Sequence, residues 1–386
     1  MTDPQRARTA VAVVFAMNGL CFATMASRVP DLRSSLELSN GALGLLLLSI
    51  AFGSMLGMPA SGHLIERFGA DAVVRLGAAM VLTGLFTAGV CAALGSVPLA
   101  AVGLCVDGFG TGIWDVGMNV EGAVVERLLG RSIMPRFHAG WSIGTFTGAG
   151  LGAIAAAVSL PLPVHFLVVP AAGVTVTILR SRAFPSGSPD EPTQTASAGS
   201  AWLEPRTLAV GLMVLGFALA EGSANDWLAL GLVDGYGAPH WVGVLGFALF
   251  VASMTAGRLG GPPALDRFGR TGVLLASSIA ALVGILVVVW SGLAALAVVG
   301  IVLWGFGAAL GFPVGMSAGA DDPLRAARRV SVISTIGYGA FLGGPPLLGF
   351  VGDHVGTLDS LLVVAAAMVP AAVLSLSVRR PRPAGP

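Results

Sequence analysis

A chain of 386 residues that is 55% apolar and only 11% charged still places a few ionisable residues inside long apolar stretches. Asp107, Asp115 and Glu121 lie in one stretch, His138 in the next, and Glu221 and Asp226 in a third. An ionisable side chain at the centre of a bilayer costs at least ~2.5–3.5 kcal/mol, so each of these wants a reason. Asp115 and Asn119 are four residues apart, on one face of a helix. A carboxyl at that depth can take up a proton on one side of a membrane and release it on the other, the chemistry of proton coupling. Asp115 is the first candidate for that role, with Asp107 and Glu221 behind it. The plainer alternative is a buried carboxyl serving structure alone.

A second set could hold a polar solute. His138 sits about 8 Å along its helix at 1.5 Å per residue, at a depth similar to that of Asn119. Trp141, one turn further, has a flat face that could stack on a ring. The run Glu221-Gly222-Ser223-Ala224-Asn225-Asp226-Trp227 is the most polar in any apolar stretch, and Asn18 stands at a comparable level in the first. Asn18, Asn119, His138, Trp141, Asn225 and Trp304 are therefore the candidate substrate contacts. For each aromatic and for the lone histidine, ordinary packing competes with ligand binding.

The elements that must position these residues are helices. A bilayer core needs roughly 20 apolar residues per helix, and such spans are expected near residues 9–27, 41–62, 73–94, 98–122, 133–158, 162–179, 206–228, 241–261, 272–291, 293–317, 330–350 and 358–378. Backbone polar groups in lipid must pair internally, which leaves helices or a closed barrel, and strand-like alternation is missing. The first stretch is too long for a cleaved leader and is read as a retained span. Residues 181–204, rich in Ser, Pro, Gly and Thr, read as a linker between an N-terminal bundle (residues 1–180) and a C-terminal one (residues 205–386). The expectation is an all-α membrane protein of twelve transmembrane helices in two pseudo-symmetric six-helix bundles.

A repeat supports the duplication. Glu66-Arg67-Phe68-Gly69 recurs as Asp266-Arg267-Phe268-Gly269, each copy after the second span of its half. Duplicated membrane bundles are mostly transporters. All 21 basic residues are arginine, and nineteen of them, Arg258 included, are assigned to segments on the side of the N-terminus, against Arg28 and Arg33 on the other. That bias puts both termini and both RFG loops in the cytoplasm. Glu66, Arg67, Asp266 and Arg267 are then candidates for an inner latch, with the arginines reaching helix C-termini or carboxylates of the opposite bundle. Arg28, at the other end, is a candidate outer gate paired with Asp226 or Asp234. Glu121 and Glu126 are expected to face the headgroup zone. Small residues at Gly140, Gly144, Gly148 and Gly152, and at Gly339 and Gly343, suggest close packing by the fifth and eleventh helices alike, and Gly343-Gly344-Pro345-Pro346 suggests a kink in the latter.

The motif Gly62-His63-Leu64-Ile65-Glu66-Arg67-Phe68-Gly69, with twelve spans and a central linker, resembles the major facilitator superfamily over the whole chain. The usual basic tail is replaced by Ala70-Asp71-Ala72-Val73, and the second copy carries Pro262 where Gly is expected. Trp114-Asp115-Val116-Gly117-Met118-Asn119-Val120-Glu121 and Phe137-His138-Ala139-Gly140-Trp141-Ser142 look like the fucose-permease-like branch and its bacterial inner-membrane relatives. That resemblance implies a proton site at Asp115 and sugar contacts near His138 and Trp141. The arginine that drug/proton antiporters carry before a Gln-Gly-x-Gly run is missing from Val106–Gly112.

Together these readings imply a secondary transporter in the bacterial plasma membrane, acting as a monomer on a small polar, sugar-like solute by alternating access, with protons as co-substrate. Proton-driven efflux of a metabolite or drug is the main rival. A transport-inactive sensor or scaffold is the rival of another class. The net charge of +1 and the lack of basic patches argue against nucleic acid as a partner. No nucleophile–base pair, metal cluster or phosphate loop points to an enzyme or to a cofactor, and Cys21, Cys91 and Cys105 form no CxxC pair.

Overall fold

The computed structural model describes residues 3–38, 40–185 and 200–379. Most of the expected linker, residues 186–199, and the tail from residue 380 onward lie outside the described residues. Secondary structure among the described residues is helical throughout. The first half holds α1 (Pro4–Ala26), α2 (Val29–Ser35), α3 (Asn40–Phe68), α4 (Ala70–Ala93), α5 (Val97–Leu129), α6 (Met134–Ala157) and α7 (Leu162–Ser181). The second holds α8 (Pro205–Ser223), α9 (Ala229–Tyr236), α10 (His240–Trp290), α11 (Ala294–Ala308), α12 (Gly311–Gly319), α13 (Ala326–Val355), α14 (Thr357–Ser360) and α15 (Leu362–Leu374).

Local chemistry explains where these elements start and stop. Asp3 caps α1 by accepting from the Gln5 N–H at 3.0 Å, with Pro4 preset for the first turn. α5 stops at Gly130, which has φ 62°. In α10 the Gly269 of the second RFG loop has φ 74°, so this element is two helices joined at a kink, matching the break between α3 and α4 at Gly69. Nine helical segments among the described residues are long and apolar enough to cross a bilayer, and α10 alone covers two of the expected spans. α6 and α13 are long enough but too polar to be counted with them, and both carry rows of Gly, Ser and Thr.

Every expected span falls on these helices; the span 358–378 passes from α14 to α15 at Leu361, and two more are interrupted. The span 206–228 leaves α8 for a wider π-helical turn at Ala224–Leu228 before α9. The span 293–317 breaks between α11 and α12. Pro313 explains the second break: it has no N–H, and its ring excludes the carbonyl four residues earlier, that of Ala309. α13 runs through Pro345 and Pro346 as a single helix.

The described chain forms two compact units. The first comprises residues 1–130 and 137–198 with residues 322–331; the second comprises residues 199–321 and 332–386 with residues 131–136. Each unit therefore includes a short segment from the other half of the sequence. In the first, α5 packs on α3, α4 and α1, and α7 on α1 and α4. In the second, α10 packs on α11 and α15, and α8 on α12 and α15.

The duplication is visible in backbone contacts. A Cβ on Gly84 would lie 2.6 Å from the Gly103 carbonyl oxygen, and one on Gly284 would lie 2.6 Å from that of Gly300. Likewise Gly108 abuts the Ile50 carbonyl and Gly305 that of Phe250. The same crossings thus recur with a shift of about 200 residues, and they align Asp107 with Trp304, the next neighbours of Gly84 and Gly284. The glycine ridges of the fifth and eleventh spans do not recur in this way. Gly140, Gly144 and Gly148 seat α6 on the carbonyls of Ala12, Ala16 and Leu20, whereas Gly339 meets only the tip of Leu215 at 3.9 Å and nothing lies within 4 Å of Gly343. The expectation that both helices share a tight-packing ridge is corrected: only α6 presses backbone on backbone.

Gly284→Leu should lower the thermal stability of the purified protein by more than the roughly 1–3 kcal/mol of ordinary overpacking, because backbone rather than side chain blocks the new atoms. Gly343→Ala should leave the melting temperature unchanged or raise it.

Candidate functional site

In the first unit α5 buries a line of polar groups. Asp107, Asp115, Asn119, Glu121 and Glu126 are all buried. Glu121 and Glu126 therefore lie inside the unit, which corrects the headgroup-facing expectation. The helix they ride on packs against α3 and α4, while its last turn is exposed at Arg127 and Leu128. Asn119 is fully buried and acts as a connector. Its Nδ2 donates to the Asp115 carbonyl at 2.9 Å, and its Oδ1 meets the His138 Nε2 at 3.1 Å. The His138 ring packs edge-on to Phe15 of α1, with centroids 5.1 Å apart. One turn along α6, the Trp141 Nε1 donates to the Asn18 Oδ1 at 3.0 Å. Five residues singled out in sequence, Asn18, Asp115, Asn119, His138 and Trp141, are thus tied across α1, α5 and α6. Trp141 is the one among them that is partly exposed, and its ring lies against Phe22. Asp107 stands apart: it is 5% exposed and has no hydrogen-bond or ion-pair partner among the described residues.

The second unit holds a different centre. The Arg258 Nη2 donates to the Glu221 Oε2 at 2.8 Å, with side chains only 3% and 12% exposed. The Arg258 Nε reaches the Ala309 carbonyl at 3.3 Å. That is the carbonyl Pro313 leaves without its helical partner, so the arginine fills a gap made by the break between α11 and α12. Sequence reasoning missed this residue, counting Arg258 with the loops. The repeat could have revealed it: if α3 runs to Phe68, its copy runs to Phe268, and Arg258 lies ten residues inside the helix. Removing it from the loop count leaves the arginine bias between the two sides overwhelming.

Trp304 was expected as a solute contact. Its side chain is fully buried, its Nε1 donates to the Ala220 carbonyl at 3.1 Å, and Phe250 packs edge-on to its ring. Wedged at the Gly284 crossing where the first unit has Asp107, it is a packing residue of its unit. Asn225 and Asp226 lie on the π-helical turn and are exposed. That turn rotates them relative to a regular helix, and such turns concentrate at functional sites.

The gate residues find partners of another kind than expected. Arg28 is buried, pairs with Asp31 at 2.8 Å and donates to the Leu160 carbonyl at 2.9 Å, all within the first unit. Asp234 accepts from Thr357 at 2.7 Å. At the RFG loops it is the acids that reach out: Glu66 pairs with Arg328 at 2.6 Å, and Asp266 accepts from the Ser132 N–H at 2.9 Å. Both partners belong to the short segments contributed by the other half of the sequence. Arg67 and Arg267 instead lie over their own neighbours Phe68 and Phe268, 5.4 and 5.2 Å from the ring centres. The expected division of labour within each loop is therefore reversed. The Glu66 hydrogen bond holds the Arg328 guanidinium above its usual pKa. Arg270 completes this end of the second unit by binding Asp321 at 2.7 Å.

Asn119→Leu should cost about 1–3 kcal/mol of stability by stranding the buried His138 nitrogen, read by thermal unfolding of the purified protein. Trp304→Ala should cost about 3–5 kcal/mol through the cavity it leaves, whereas Trp304→Phe should leave solute affinity unchanged.

A sequence-family model described as Major Facilitator Superfamily matches residues 11–343. An uncharacterized transporter of Sinorhizobium fredii is 32% identical over 347 residues, covering 89% of this chain and 90% of the relative. An uncharacterized MFS-type transporter of Yersinia pestis is 31% identical over 354 residues, covering 88% and 87%. Among solved structures, the E. coli fucose:proton symporter superposes with a TM-score of 0.76 at 16% identity, covering 97% of this chain and 98% of that one. The match of the family model over most of the sequence, with the all-helical duplicated fold, makes this chain a member of the Major Facilitator Superfamily.

Proposed function

We propose that the chain is a secondary active carrier that moves a small polar organic solute across the plasma membrane by alternating access, as a proton symport. The observation that carries this reading is α5, which buries Asp107 and Asp115 in one helix of the first unit. Carboxyls so far from water are kept by proteins chiefly where a proton or cation must pass. The Asn18–Trp141 and Asn119–His138 pairs supply donors, acceptors and a partly exposed aromatic face, a set suited to a hydroxylated, sugar-like solute. The likeness to a fucose:proton symporter supports the same reading at the level of fold.

In this reading both termini lie in the cytoplasm and the chain works as a monomer. The Glu66–Arg328 ion pair and the Asp266–Ser132 hydrogen bond act as the cytoplasmic latch, because contacts made in one conformation only bias the equilibrium between two.

In proteoliposomes with an imposed pH gradient, inward-acid and inward-alkaline vesicles should show opposite net movement of labelled solute, with the solute following the proton. Asp107→Asn and Asp115→Asn should each abolish gradient-driven accumulation while sparing solute counterflow. Substrate-driven proton flux undiminished in both variants would refute the assignment.

A further inference from the structure

The second unit contains a buried arginine that the proton-coupling scheme above does not use. Arg258 is 2% exposed, and its charge is balanced by Glu221. Few other charged residues lie on the helices of this unit near it in sequence. α11 and α12 carry no ionisable side chain, and neither does α15. On α8 and its continuation the nearest other charge is Asp226, five residues on and beyond the start of the π-helical turn; Arg206 is at the opposite end of the helix. On α10 the next charges are Asp266, Arg267 and Arg270 at the RFG loop, of which Arg270 is bound to Asp321. From α13, Phe341 faces Gly222, and Tyr338 packs on Phe341 and Phe312; the charged residues of that helix are at its two ends.

A neutral pair in such a place is constrained. If Glu221 takes up a proton, the buried Arg258 guanidinium loses its ionised counter-charge. If an anion approaches Arg258 while Glu221 is ionised, two negative groups compete for one guanidinium. Each event alone is unfavourable, and each removes the obstacle to the other. The guanidinium's planar fork matches a carboxylate, and it sits at the break between α11 and α12, the kind of interrupted helix at which carriers of this class bind solutes.

Resting on the carrier reading, we infer that the Glu221–Arg258 pair recognises the carboxylate of an anionic solute, so that the substrate class is a hydroxylated monocarboxylic acid. One proton passes from water to a Glu221 oxygen as the Arg258 guanidinium exchanges that carboxylate for the solute's. On release the solute leaves, the proton returns to water and the internal pair re-forms. The proton and the anion enter together, and the charge of this centre does not change. Because one proton is taken up with each anion, affinity should fall about tenfold per unit rise in pH while Glu221 is ionised.

The test uses purified full-length protein with D-gluconate, D-glucuronate and D-glycerate, each beside its neutral counterpart sorbitol, glucose or glycerol. At about pH 6 at least one acid should raise the melting temperature where its neutral counterpart does not, and the shift should shrink by about pH 8. In weakly buffered solution its binding should draw about one proton per site, seen with a pH indicator. Glu221→Gln should still bind the acid, but without the pH dependence and with one proton fewer. Arg258→Gln should weaken binding by about tenfold or more. Should that variant misfold, the double variant Glu221→Gln/Arg258→Gln restores a neutral, hydrogen-bonding pair and must also lose the acid. Equal shifts from acids and neutral partners, no shift from any acid, or acid binding that survives in the double variant would overturn the inference. If neutral solutes alone bind and accumulate under a pH gradient, the anion inference falls and the carrier reading stands. If neither class binds or accumulates, both fall.

Discussion

Taking an ionised side chain away from water is tolerable only where the protein supplies a counter-charge, a set of hydrogen bonds or a proton, and the polar interior of this molecule is arranged around that constraint. In the second unit the counter-charge is explicit, since Arg258 is answered by Glu221. In the first unit neutral hydrogen bonds link the buried polar groups instead. Asn119 spans from the main chain of α5 to His138, and Asn18 holds Trp141. The two units thus bury their polar groups in two different ways.

Close backbone packing is what makes such burial possible. The glycine crossings at Gly84 and Gly103, and at Gly284 and Gly300, bring the third and fourth helices of each half together until carbonyls meet the positions of missing side chains. The geometry is common to both halves, so a residue next to the crossing inherits the same confined position. In the first half that residue is Asp107, and in the second it is Trp304. One position therefore hosts a buried carboxyl in one unit and a bulky packing side chain in the other. Duplication preserved the frame and left chemistry free to diverge within it.

Much of this was legible in the residue string. Apolar runs of bilayer length marked the helices, and the recurrence of the RFG loops marked the duplication, because hydropathy and a short loop motif are local properties. The pairing of Asn18 with Trp141, and of Asn119 with His138, was not local. It needed α6 to be seated on α1 by the Gly140–Gly148 ridge, with α5 packed on α1 beside it. Arg258 escaped notice for a related reason. Its depth depends on where α10 turns at Gly269, and its role depends on a carbonyl freed by Pro313, which belongs to another helix.

The sequence by itself determined the membrane class, the helical content, the family pattern and the list of residues too polar for their surroundings. The class, the helices and that list follow from composition and periodicity, which the solvent reads one segment at a time; the family pattern rests on the resemblance of short motifs. Only the tertiary structure decided which of those residues meet. It turned the acids rather than the arginines of the RFG loops toward distant partners, drew Glu121 and Glu126 inside, buried Trp304 as packing and set Arg258 opposite Glu221. The reason is physical: a side chain's cost is written in its type, but its compensation comes from neighbours that the chain brings close only when helices pack.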